Sequence, residues 1–83
     1  MYKIILLPAA IKDLDRIEHK PFLQIKVRID GLVTDPRPVN SLKLTNEQGY
    51  RLRSGDYRVL YRIDDPQKTV FVYRVKHRKD AYR

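Results

Sequence analysis

Arginine recurs through the second half of this chain at spacings that place it on one side of an extended backbone: Arg51 and Arg53, then Arg58 and Arg62, with Arg78 following. A guanidinium matches two phosphate oxygens with its planar fork and can neutralise the charge that builds on a pentacoordinate phosphorane. The last residues, Lys76-His-Arg-Lys-Asp-Ala-Tyr-Arg83, add His77 and Tyr82. Histidine is the side-chain type that exchanges protons near neutrality, and tyrosine can stack on a base or pass a proton. These types suit phosphodiester chemistry. On RNA it needs neither metal nor cofactor, because the ribose 2′-hydroxyl supplies the nucleophile and the protein has only to align it, move protons and stabilise charge. Other chemistries lack their residues. There is no Gly-rich phosphate loop, no cluster at metal-ligand spacing and no Ser-His-Asp set, and His19 and His77 are the only histidines. His19 is expected beside a helix C-terminus, as a cation facing the dipole.

The charge of the whole chain agrees. Eighteen Lys and Arg against ten Asp and Glu give +8 over 83 residues. Residues 1–41 hold seven cations and five anions, residues 42–83 eleven and five, so the excess is C-terminal. Such a surface concentrates polyanions through counterion release and field steering, which makes nucleic acid the leading partner. An acidic protein or an anionic membrane would also answer the charge. The absence of cysteine excludes disulfides, thiolate metal sites and cysteine catalysis. At 42 % hydrophobic and 34 % charged residues the chain should fold, as a single domain over residues 1–83. The longest apolar run, residues 4–7 extended to 11, falls far short of the roughly 20 residues that span a bilayer, so cytoplasm is the expected location and no membrane partner is expected.

The elements that must position these residues follow from periodicity. Residues 2–7 read as a strand that stops at Pro8, where a helix begins with Ile11, Leu14 and Ile17 as its apolar stripe. Lys20-Pro21 breaks it, and a second helix starts at Pro21 with Phe22, Ile25, Ile29 and Leu32 facing inward, ending before Thr34-Asp-Pro-Arg-Pro38. The two form an antiparallel hairpin. The period then becomes alternating: strands over 41–45, 50–53, 57–64 and 69–76, joined by turns at 46–49, 54–56 and 65–68. The fold expected is α+β, in the order β-α-α-β-β-β-β, with helices on one face of a largely antiparallel meander and the first strand at its edge or middle. Alternation sets Arg51, Arg53, Arg58 and Arg62 on the face away from the helices, opposite Leu52, Tyr57, Val59, Tyr61 and Ile63. A solvated outer face would mix signs, whereas this one is nearly all arginine.

The stretches Arg51-Leu-Arg-Ser-Gly-Asp-Tyr-Arg-Val-Leu-Tyr-Arg-Ile-Asp-Asp65 and Val70-Phe-Val-Tyr-Arg-Val-Lys-His-Arg-Lys-Asp-Ala-Tyr82, with Leu32-Val-Thr-Asp-Pro-Arg37 and Leu42-Lys-Leu44 upstream, resemble the RelE toxins of the RelE/ParE superfamily. The resemblance covers almost the whole chain. It implies the toxin of a type II toxin–antitoxin system, an endoribonuclease (mRNA interferase) that enters the ribosomal A site, cleaves the mRNA there, and is neutralised by a RelB-like antitoxin. It further implies that Arg58 stabilises the transition state, that Arg78 contacts the scissile region, that Tyr82 orients the mRNA by stacking, and that Lys43, Arg51 and Arg53 help bind RNA. Two positions depart from the pattern. Arg51 stands where some relatives carry a lysine as general-base candidate, and arginine is a poor base. Thr45-Asn46 stands where some have Arg-Gly. Proton abstraction is thereby left to His77, Tyr82 or alignment alone. A ParE-like inhibitor of DNA gyrase on the same fold, and a basic nucleic-acid-binding module without catalysis, are the competing readings.

Overall fold

The computed structural model describes residues 1–45 and 49–81. Strand β1 (Lys3–Leu6) runs through Leu7 into α1 (Pro8–Asp15). Pro8 is well placed at the first helical position, where its missing N–H has no intrahelical acceptor to lose. The inner stripe of α1 differs from expectation by one residue. Ala10 and Leu14 are buried, Ile17 packs against them just past the helix end, and Ile11 is 45 % exposed. A repeat of three residues drifts around a helix of 3.6 per turn, while the 4 and 3 spacing of Ala10, Leu14 and Ile17 holds one face.

Helix α2 spans His19–Gly31, two residues earlier than its proline implies. Glu18 is the N-cap, so Pro21 lies in the first turn, where backbone donors have no intrahelical partner. His19 therefore opens α2 and is exposed, instead of closing the preceding helix. Ile25, Ile29 and Leu32 are buried, with Phe22 packed against the core.

The sheet contains β1, β2 (Ser41–Lys43), β3 (Tyr50–Ser54), β4 (Tyr57–Asp64) and β5 (Thr69–His77), followed by one helical turn, α3 (Arg78–Ala81). Its order is β1-β5-β4-β3-β2, so the N-terminal strand is an edge. β1 runs parallel to β5, and the other neighbours are antiparallel. Leu52, Val59, Tyr61, Val70, Val72 and Val75 point toward the helices and close the core with them. α1 packs chiefly on β5, and α2 on β3 and β4.

Strict alternation does not run the length of β5. Leu60 pairs with Arg74 but Tyr61 pairs with Val72, which leaves Tyr73 as an extra residue, a bulge. Val72 and Val75 are three apart, and the bulge allows both to be core residues.

β1 pairs only with Thr69–Val72. Past its end, α1 takes over the β5 edge: the carboxylate of Asp13 accepts the Val75 backbone N–H at 2.8 Å and the Arg74 Nε and Nη2 at 2.7 and 3.2 Å. Burial pushes the Asp13 carboxyl upward, but the hydrogen bonds from Arg74 and Val75 outweigh it and hold the group below its ordinary value.

The far end of the sheet is tied by Arg37. Its guanidinium forks onto Asp65 at 3.2 and 2.7 Å, and its Nε donates to the Tyr50 hydroxyl at 3.0 Å. Tyr2 also donates to Asp65. Arg37 first, then Tyr2, draws Asp65 down to about 2, and the Tyr2 phenol is raised by the same hydrogen bond. Tyr50 stacks on Tyr61 at 5.7 Å between ring centroids, and the buried Tyr61 hydroxyl donates to the Pro36 carbonyl at 2.8 Å. Among the described residues no helix is long and apolar enough to cross a membrane.

Candidate nucleic-acid interface

The β3–β4 hairpin turns on two residues, Gly55 and Asp56, between the paired Ser54 and Tyr57. Gly55 has φ +58°, a left-handed conformation that a side chain disfavours, and glycine is the preferred residue at the first position of such turns. The tight turn fixes the register of everything beside it. Arg53 faces Arg58 directly, and Arg58 faces Lys76 on β5. Three cations therefore stand in a row across three strands, on the face away from the helices. Like charges directly opposite destabilise a sheet, by about 0.2–1 kcal/mol for a pair.

Arg53 Nε donates to the Gly55 carbonyl at 3.2 Å, which steers its guanidinium back over the turn. The backbone N–H of Arg78 donates to the Asp56 carbonyl at 2.7 Å, pinning the start of α3 against the same turn. As a result Arg53, Arg58 and Arg78, far apart in sequence, line one cavity of about 240 Å³ with Gly55, Asp56 and Tyr57.

The other expected residues are placed as follows. Arg51 shares the open face but lies one row away, between Leu42 and Leu60. Arg62 shares it too, at the opposite end of β4, where its guanidinium sits 5.4 Å from the centre of the Phe71 ring. Lys43 pairs with Tyr50 on the edge strand, away from the Arg53–Arg58–Lys76 row, and lines a cavity with Arg37, Tyr50 and Arg62 at the other end of the sheet. His77 pairs with Tyr57 and meets its ring edge-on at 5.1 Å, on the helix side. Its Nδ1 accepts the Lys79 backbone N–H at 3.2 Å, which leaves Nε2 as the protonated nitrogen and makes the exposed side of the ring a donor. That geometry does not present a base to the arginine cavity. Tyr82 lies outside the described residues. Lys76 is the residue that reading the sequence missed as a site member, counting it only among the tail cations. Its signal was the strand parity it shares with Arg74, obscured by the termination of the strand at that point.

A five-stranded sheet of this order, helices on one side and a cationic row on the other, is the architecture of a RelE-like toxin. The chain belongs to the family of the ParE toxin of type II toxin–antitoxin systems, whose sequence pattern matches residues 4–82. It is similar to a chain of the toxin–antitoxin complex RelBE2 from Mycobacterium tuberculosis, with a TM-score of 0.82 and 29 % identity over 92 % of this chain and 96 % of that one. The intact RelBE toxin–antitoxin complex of Escherichia coli contains a chain similar at TM-score 0.79 and 27 % identity, covering 93 % and 96 %. Toxin RelG of Mycobacterium tuberculosis is 56 % identical over 34 residues, a stretch that spans 41 % of this chain and 39 % of that protein.

Proposed function

We propose that this type II toxin is a ribosome-dependent endoribonuclease that cleaves mRNA in the 30S A site, with the cation row as its catalytic face. The observation that carries the reading is the convergence of Arg53, Arg58 and Arg78 on one cavity, with Lys76 beside Arg58. Four positive groups so placed suit the charge that builds on a phosphorane. In this reaction the ribose 2′-hydroxyl attacks the adjacent phosphorus and gives its proton to solvent, the P–O5′ bond breaks to leave a cyclic phosphate, and the departing 5′-oxygen takes up a proton. Arg58 and Arg78 hold the non-bridging oxygens as charge builds, Arg51 and Arg53 hold the flanking backbone, and Tyr82 stacks on a base. The similarity to chains of RelBE toxin–antitoxin complexes supports a RelB-like antitoxin as the neutralising partner.

The test is primer extension on mRNA held in purified 70S ribosomes with an empty A site, beside naked RNA. Cuts confined to the A-site codon are expected. Their absence from both tubes refutes the reading. The matching family carries the ParE name, and this favours inhibition of DNA gyrase as the second reading. A supercoiling assay with purified gyrase separates the two.

A further inference from the structure

A second cationic cavity lies around the corner from the first, along the edge of β5 beyond the end of β1. It encloses about 230 Å³ and is lined by Arg16, Ile17, Tyr57, Lys76 and His77 together with the Asp13–Arg74 pair. Asp13 is the carboxylate of this cavity, and Arg74 and the Val75 N–H already occupy it. The remaining ionisable groups, Arg16, Lys76 and His77, are all donors of positive sign or neutral N–H. Arg16 is exposed, placed at the end of α1 as its C-cap. His77 has Nδ1 engaged by Lys79, so Nε2–H is the atom it can offer. Glu18 and Asp56 line the adjoining hollow toward the β3–β4 turn, which Arg16, Tyr57 and His77 also border. Tyr57 is a wall of this cavity and of the arginine cavity alike.

From this arrangement we infer that Arg16 and the His77 Nε2–H form a second phosphate-binding site, which holds the RNA backbone next to the segment bound at Arg58. The inference rests on the RNA reading proposed above. Its chemistry is a backbone phosphate gripped by a guanidinium and an imidazole N–H. The strand passes over Tyr57, whose ring His77 braces edge-on.

The test measures binding of a fluorescein-labelled, 2′-O-methyl 12-nucleotide RNA by anisotropy across a salt series, for wild type, Arg16→Ala, Arg16→Lys and, as a control on α2, Arg28→Ala. Loss of one single-strand phosphate contact lowers the slope of log K against log salt by about 0.7, equivalent to about fivefold in affinity per tenfold of salt. Arg16→Ala is expected to show that loss, Arg16→Lys to recover most of it, and Arg28→Ala to match wild type. Arg16 is exposed, and thermal melts confirm that each variant is folded. Wild-type binding with an unchanged Arg16→Ala slope overturns the second site and leaves the nuclease reading standing. Absence of any salt-dependent RNA affinity in wild type also overturns the second site, while the nuclease reading is decided by the ribosome assay above. Weakened binding of an acidic antitoxin peptide by Arg16→Ala, with the RNA slope intact, assigns the cavity to protein and overturns the inference.

Discussion

Replacing Asp13 by alanine tests how the edge of β5 is closed. The carboxylate serves three donors: the Val75 N–H at 2.8 Å and two nitrogens of Arg74 at 2.7 and 3.2 Å. The Val75 amide belongs to a residue only 3 % exposed, so stranding it costs about 1–3 kcal/mol. Arg74 is 42 % exposed at its side chain and water can reclaim it, so its share is that of a screened pair, about 0.5–1 kcal/mol. The sum is about 1.5–4 kcal/mol, and at about 4–8 °C per kcal/mol for a domain of this size the melting temperature should fall by about 6–30 °C. Asp13→Asn keeps an oxygen for the Val75 N–H and should lose about 1 kcal/mol. The pH dependence has a defined sign. A carboxyl whose folded value lies below its ordinary value binds fewer protons folded than unfolded, so its contribution is complete above the unfolded value and is lost as pH falls through the folded one. Wild type should therefore weaken below about pH 5, and Asp13→Asn should weaken less over that range. Urea denaturation at pH 7 and pH 3 measures all three proteins. An Asp13→Ala variant within about 0.5 kcal/mol of wild type refutes the assignment of Asp13 as the acceptor that closes the strand edge.

Arg58→Ala should reduce A-site cleavage by about 10²–10³-fold, the usual effect of removing one transition-state donor, while pelleting with 70S ribosomes persists. Lys76→Ala should lower the cleavage rate in the same assay, and an unchanged rate would remove it from the site. Arg53→Thr should weaken RNA binding yet leave stability unchanged or raise it by up to about 1 kcal/mol in urea titrations, because it relieves the repulsion from Arg58. Tyr61→Phe should cost about 1 kcal/mol by stranding the Pro36 carbonyl, read as a lower melting temperature. Arg37→Ala should return Asp65 from about 2 toward the ordinary carboxylate range, followed by carbon-detected NMR titration, and so remove the stability that the depressed group contributes at neutral pH and loses in acid.

Much of the architecture was legible because few residues carry mixed signals. Proline at position 8 marked the strand-to-helix switch, and the β-branched runs at 57–64 and 69–76 marked the two long strands. The arginine face followed from parity in β3 and β4, whose pairing is regular. Helix faces were less legible: Ala10 has little hydrophobic signal, so a more apolar but wrongly phased Ile11 stood in for it. The ends of elements depend on capping geometry, which is why α2 begins at His19 and not at Pro21. Within the site, Lys43 was assigned through the family resemblance and His77 through its place just after the last strand. Cross-strand register decides their face, and register is not written in either residue.

The bulge at Tyr73 has a consequence for how this surface can vary. A strand encodes sidedness in the odd or even count of residues from a fixed point, and Tyr73 inserts one uncounted step between Val72 and the stretch that carries Val75 and the C-terminal cations. Lys76 reaches the open side and His77 the helix side because of that step. The cationic face is accordingly robust to exchanges of one side chain for another, yet sensitive to the arithmetic of the chain. Loss of a single residue between 73 and 76 would deliver the same amino acids to the opposite sides of the molecule, whereas loss of two would conserve their sides and shorten only their reach.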